Sequence, residues 1–259
     1  MKMRVLIGVT ALLCSANLFG QTISAISNPA AVVQNNIVAP GSLVSIFGGS
    51  LSGSLASAGS ATLSTALGDV TAVNFNGMPS PLVMVSDAQI TAQVPWEVIP
   101  GPATVSVARG NAFSNNFATQ VNQFAPAIFN IRLGGMQAIA VNGDGSMAAP
   151  QGFLGGLSAH PATAGDTLTL YATGLGPVNG ALADGTRPAD TSATTVTMPI
   201  VTIGGMPAQV SWSGMSTQFF GVYQLNVVVP QGVPTGAAVP IQLQVGGASS
   251  TDPVTIALQ

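Results

Sequence analysis

Charge is what this sequence lacks most. It holds 5 Lys and Arg, 8 Asp and Glu and a single His in 259 residues, so charged side chains are 5% of the chain where about a quarter is usual. The three basic residues beyond the N-terminus, Arg109, Arg132 and Arg187, cannot build the basic face that neutralises phosphates, which excludes a nucleic-acid partner. An anionic membrane surface is disfavoured for the same reason. His160 is the only histidine. No multi-histidine zinc site can be assembled, and a Ser-His-Asp relay would have to use a histidine in a Gly/Pro loop with no serine in a strained nucleophile turn. Cys14 is the only cysteine, which rules out an intrachain disulfide. Beyond the N-terminus no apolar run is long enough to span a bilayer.

What the N-terminus does have is Lys2 and Arg4, the apolar run Val5 to Leu13, and small and polar residues up to Gln21. That is the layout of a secretory signal peptide, residues 1–20, with cleavage expected near Gly20. Leu12 and Leu13 stand before Cys14, where lipid attachment needs a small residue. Removal of the signal takes the one cysteine with it and leaves three arginines against eight acids. The surface must then be solvated by Ser, Thr, Asn, Gln and exposed backbone. No transmembrane segment is expected after cleavage, and the expected location is extracellular or on the cell-envelope surface.

The chain also says nearly the same thing twice. PGSLVSIFGGSL at 40–51 returns as AGDTLTLYATGL at 164–175, NGMP at 76–79 as GGMP at 204–207, and QITAQVP at 89–95 as QLNVVVP at 224–230. The order is kept while the loops of the second copy lengthen, and two related domains in tandem are the simplest account.

Short alternating runs of Val, Ile, Leu, Thr and Phe, punctuated by 31 Gly and 18 Pro, predict an all-β protein. Strands are expected in the first copy at 43–47, 70–75, 82–85, 89–94, 103–108 and 117–121, and in the second at 167–172, 195–203, 208–212, 222–229, 241–245 and 254–258. Asn76-Gly77 suits a tight hairpin turn. Six or seven short strands per hundred residues point to immunoglobulin-like sandwiches, placed at 26–123 and 164–259. Residues 124–163 are read as a connecting β-hairpin and ordered loop, because Ile128, Phe129 and Ile131 are too apolar for a floppy linker. Alternation predicts Val44, Ile46, Leu168 and Leu170 in two cores, with Ser45 and Thr169 facing solvent.

The strings VAPGSLVSIFGGSL, QVPWEVIPGPATVSV, APAIFN, NGDGS, LTLYATGLGPV and GVYQLNVVVPQGVPTG resemble the Solibacter uncharacterised C-terminal domain family, over essentially all of residues 26–259. Each half is also similar to an IPT/TIG immunoglobulin-like domain, whose opening is P-G-S-x-V-x-I-x-G-x-x-L. The resemblance implies this fold and export. That family is met at the C-terminal end of long secreted acidobacterial proteins and brings no catalytic residues or cofactor to transfer.

Three places invite a chemical reading. Asn142-Gly143-Asp144-Gly145-Ser146 groups side-chain oxygens around a glycine turn, so Asp144 is a weak candidate metal ligand. An EF-hand register with Gly145 sixth puts Ala140 first and Gln151 twelfth, leaving two carboxylate ligands missing, and a plain hairpin turn is favoured. Glu97, the only glutamate, follows Trp96 and evokes a glycosidase acid beside a sugar-stacking ring. Such an enzyme needs a second carboxylate nearby, and nothing in the strand pattern supplies one. Trp96 and Trp212 are the candidate ligand-stacking residues, although Trp96 reads more readily as an aromatic plug at a strand exit, and Trp212, Tyr171 and Tyr223 as core or inter-domain residues. The expected role is therefore non-enzymatic: a secreted surface, matrix or adhesion module whose partner is an extracellular protein, or alternatively a polysaccharide-binding accessory of a hydrolytic system. No cofactor is expected.

Overall fold

The computed structural model describes residues 20–32, 36–59, 62–180 and 182–259; apart from Gly20, the expected signal peptide lies outside them. Every regular element among the described residues is a β-strand, and two buried clusters divide the apolar residues. Val44 and Ile46 belong to the first, with Phe75, Leu82, Ile90 and Val105. Leu168 and Leu170 belong to the second, with Ile203, Tyr223, Leu225 and Leu243. All four aliphatics are essentially inaccessible to solvent, as the alternation predicts. The architecture is two β-sandwiches in tandem.

The first sandwich is made of two sheets. One runs in the order Thr22–Ser27, Leu43–Gly49, Gln89–Gln93, Leu82–Val85, Ala56–Ser57, and the other Ile37–Val38, Phe117–Val121, Gly101–Arg109, Ala72–Phe75, Met78–Pro79. The second sandwich repeats these pairings: Thr167–Thr173 with Tyr223–Val228, Ile200–Ile203 with Met206–Met215 and Gly236–Val245, and Gly236–Val245 with Thr255–Leu258. The connecting residues 124–163 contain the hairpin Asn130–Arg132 to Met136–Ala138 and add their strands to this second sheet, Ala127–Ile128 and Ala140–Val141 pairing directly with Thr167–Thr173.

One difference between the copies has a local cause. In the first, the strand after the Asn76-Gly77 turn stops at Pro79 and a new one starts at Leu82 in the opposite sheet. Pro81 has no N–H to give to a ladder, so the chain changes sheets there. In the second copy Ala208 and Gln209 stand at the corresponding positions, and Met206–Met215 runs on unbroken, pairing first with Ile200–Ile203 and then with Tyr223–Val228. A bulge between Val210 and Trp212 takes up the bend. The two sheets of the second sandwich are thereby joined into one sheet of thirteen strands, eleven of them on one continuous path.

Three expectations need correction. Residues 195–199 make no strand: regular pairing begins at Ile200, Thr195 forms only an isolated bridge to Val178, and Pro199 interrupts the run. The first sandwich starts earlier than expected, because Thr22–Ser27 pairs with Leu43–Gly49. Ser45 does not face solvent. It is 3% exposed and accepts a hydrogen bond from Gln89 Nε2 at 3.3 Å, because the outer face of its sheet lies against the second sandwich. Leu43 meets Gly221 there, where a Cβ would come 2.8 Å from the leucine side chain. Gln93, fully buried, accepts from Gly185 N–H at 2.7 Å and donates to Gly41 carbonyl at 2.9 Å. Thr169, at the matching position of the second copy, is half-buried.

Candidate functional site

The two tryptophans are both half-buried but have different neighbours. Trp96 leaves the strand Gln89–Gln93 at the seam between the sandwiches and packs against the second core although it belongs to the first domain's sequence. Gly41, at φ +75°, is what gives the ring its room, since a Cβ there would collide with it. The indole N–H is buried and finds no hydrogen-bond partner. The backbone N–H of Trp96 donates to Asp184 Oδ1 at 2.9 Å, and Gly185 next to it accepts from Leu63 N–H at 2.8 Å. Trp96 is therefore a wedge locking two domains together, with a hollow of about 380 Å³ beside it lined by Glu97, Ile99, Gln123 and Pro177.

Glu97 does have a second carboxylate nearby, contrary to the sequence reading. Asp184, 87 positions away in sequence, is its neighbour at the seam. Burial, and then the neighbouring Glu97, push the Asp184 carboxyl above its ordinary range. Asp184 Oδ1 is occupied by the Trp96 N–H, which ties this carboxyl to the backbone of the seam, whereas a glycosidase carboxylate has to face the bond it cleaves.

Asp144 sits in a closed turn. Its Oδ1 accepts from Ser146 N–H at 2.9 Å and from Ser146 Oγ at 2.6 Å, while Oδ2 faces His160 Nε2 at 3.1 Å. The Ser146 hydroxyl and N–H, helped by His160, hold the carboxyl down at about 2. The Pro161 carbonyl and Asp144 raise the His160 imidazole. The carboxylate oxygens are spent on the turn, and among the described residues no group of three or more His, Cys, Asp or Glu converges.

Trp212 is half-buried on the outer face of the second sandwich. Cross-strand partners share a face of the sheet, so the pairings Trp212–Asn226, Asn226–Thr169 and Thr169–Val141 define one row, and Gly214–Gln224 and Gln224–Tyr171 the next. The alternate residues Leu170 and Leu225 point into the core. This outer face therefore presents Trp212, Tyr171, Thr169, Gln224 and Asn226 together. Gln224 Nε2 donates to Asn226 Oδ1 at 3.1 Å, which fixes both amides along the sheet. The Trp212 ring lies over Gly214, where a Cβ would stand 2.7 Å from it. Phe219, 48% exposed, comes from the following loop and meets Tyr171 edge-on, centroids 5.5 Å apart at 85°. Beside Tyr171 and Phe219 opens an apolar groove of about 440 Å³, and burial there raises the Tyr171 phenol above its usual value.

Of the aromatic residues assigned to core or inter-domain positions, only Tyr223 is core. It is completely buried, and its hydroxyl donates to the Gly176 carbonyl. Trp212 and Tyr171 belong to the outer face. Sequence reasoning passed over Gln224, Asn226 and Phe219. Their alternation with Leu225 and Val227 was the available signal for the two amides, and nothing local marked Phe219.

No protein-family model matches this chain, and no curated protein matches it. Among solved structures, the surface glycan-binding protein PbSGBP-B from Prevotella bryantii is 12% identical over 91% of this chain and 42% of its own, with a TM-score of 0.30. The SGBP-B of the Bacteroides ovatus mixed-linkage glucan utilisation locus, solved with a mixed-linkage heptasaccharide, is 14% identical over 88% of this chain and 45% of its own, with a TM-score of 0.36. The I9–I11 tandem of titin is 13% identical over 86% of this chain and 63% of its own, with a TM-score of 0.21. This chain spans less than half the length of the two glycan-binding proteins it is similar to.

Proposed function

We propose that this protein is a non-enzymatic carbohydrate-binding module of the cell exterior, holding a polysaccharide against the outer face of the second sandwich. The observation that carries the reading is the register that puts an indole, a phenol and two side-chain amides on one open sheet face. Sugar rings present apolar C–H faces and an equator of hydroxyls. Aromatic rings take the first and amides the second, each amide offering both a donor and an acceptor. By strand spacing, Trp212 and Tyr171 stand about 12 Å apart, a separation that suits contact with two rings of a chain that have another ring between them. The scarcity of charge favours a neutral polysaccharide.

Affinity electrophoresis and pull-down on insoluble polysaccharides test this. Trp212→Ala and Tyr171→Ala are each expected to weaken binding by roughly tenfold or more, at about 1–3 kcal/mol per lost stacking contact, while circular dichroism keeps the wild-type β-sheet spectrum. Binding unaffected by both substitutions, or absent across a broad panel of neutral glycans, would contradict the proposal.

A further inference from the structure

We infer that the polysaccharide taken by this face carries acyl esters, and that the apolar groove next to the aromatic platform receives them. The inference rests on the carbohydrate-binding reading above and names the class of glycan.

The groove lies against the platform without a break. Tyr171 and Phe219 belong to both, and Val141, at the end of the Trp212–Asn226–Thr169 row, forms part of its lining with Met147 and Leu157. Leu43 of the first sandwich contributes to the same lining. No charged side chain lines it, and the Tyr171 hydroxyl is the only polar side-chain group. An unmodified sugar is surrounded by hydroxyls. Sliding one into this space would strip water from donors that find almost no partner, which is costly for every hydroxyl. An ester replaces a hydroxyl donor by an alkyl or aryl group whose burial is favourable. The amides Gln224 and Asn226 point to sugar hydroxyls, and the carbon-lined space beside them points to a sugar whose neighbouring hydroxyl has been capped. A volume of about 440 Å³ is of the size that encloses small organic groups, so acetyl and larger acyl or aryl esters fit. A charged substituent such as a sulfate or uronate does not, because no cation among the lining residues would pair with it.

The test uses matched pairs: acetylated glucomannan and acetylated xylan, each beside its own alkali-deacetylated form, titrated against the mature protein. The acetylated forms are expected to bind at least about fivefold more tightly. Leu157→Ser, at the partly exposed rim, should remove that preference while leaving affinity for the deacetylated forms unchanged. Val141→Thr provides a second, nearly isosteric probe of the lining and should also reduce the preference for the acetylated forms. Equal binding of both forms would overturn the acyl inference and leave the carbohydrate reading standing. Binding to neither form of either glycan would overturn the inference together with that reading. Competition by decanoate against the acetylated forms alone would place an acyl group in the groove and supports the inference. Decanoate binding at the groove with no acetylated-glycan preference would make it a site for free lipid and overturn it.

Discussion

The strands Leu43–Gly49 and Thr167–Thr173 start from one sequence template and end in different roles. Their inward residues, Val44 and Ile46 against Leu168 and Leu170, are buried alike in separate cores. Their outward residues differ. Leu43 and Ser45 are buried against the neighbouring sandwich, Leu43 reaching the wall of the groove, whereas Thr169 and Tyr171 are half-buried on the outer face. The difference follows from the tandem arrangement, since the outer face of the first sheet is used up in holding the second sandwich and the outer face of the second has no third domain in the described chain to cover it. Inward positions thus keep the fold of a repeat, and outward positions record what each copy is used for.

The largest effects should come from the shared inward positions. Ile46→Ala and Leu170→Ala should each cost about 2–5 kcal/mol in denaturant unfolding. Because their clusters are distinct, the double truncation should be close to additive. Strong non-additivity would mean that the two sites are coupled and the cores are not distinct.

The outward pair should split. Ser45→Ala removes a buried acceptor from Gln89 and should cost about 1 kcal/mol, while Thr169→Ala should stay within about 0.5 kcal/mol and instead weaken glycan binding. Equal stability losses would show that the first outer face is not sealed as described.

A smaller effect is expected at the seam. The Asp184 carboxyl is held above its ordinary value by burial and Glu97, so folding favours its protonated form. Its ionisation therefore removes stability as pH rises from the ordinary aspartate value through the raised folded one. Asp184→Asn keeps the acceptor for the Trp96 N–H and can donate to Glu97. It should flatten the decline in melting temperature across that window and leave the variant at least as stable as wild type at pH 7. A variant that is less stable at pH 7 would mean the ionised carboxylate is needed there. The Asp144–His160 contact should matter least, both side chains being exposed. Asp144, held at about 2, supports the fold above the ordinary aspartate value and loses that support as pH falls toward 2. His160, raised, contributes below its ordinary value and ceases to as pH climbs through the raised one. Asp144→Asn should shift the melting temperature little at pH 7 and equally little with or without EDTA.

Much of this architecture was legible in the chain because strand alternation and turn residues are local signals. Phe117–Val121 and Leu82–Val85 fall on the expected residues, and the repeat anticipates the paired topology of the two sandwiches. What stayed hidden was long-range. Ser45 reads as a surface serine because nothing in its own strand announces that Gly221 and Gly185 will pack on its sheet. Asp184 reads as a turn aspartate because its partner Glu97 lies far back in the sequence. The strand expected at 208–212 extends over Met206–Met215, since Pro207 is accommodated near its start and Gly214 makes room for the Trp212 ring. The candidate site was half visible: Trp212 was singled out by residue type, but its companions Tyr171, Gln224 and Asn226 emerge only from the register.

The most direct measurement follows the two indoles separately during a glycan titration. In Trp96→Phe, where Trp212 is the sole tryptophan, a bound polysaccharide should shift the emission and reduce quenching by acrylamide. In Trp212→Phe, the half-buried Trp96 at the seam should show neither change, and binding should be lost. A response confined to Trp96, or none from either indole with a glycan demonstrably bound, would contradict the placement of the binding face on the second sandwich.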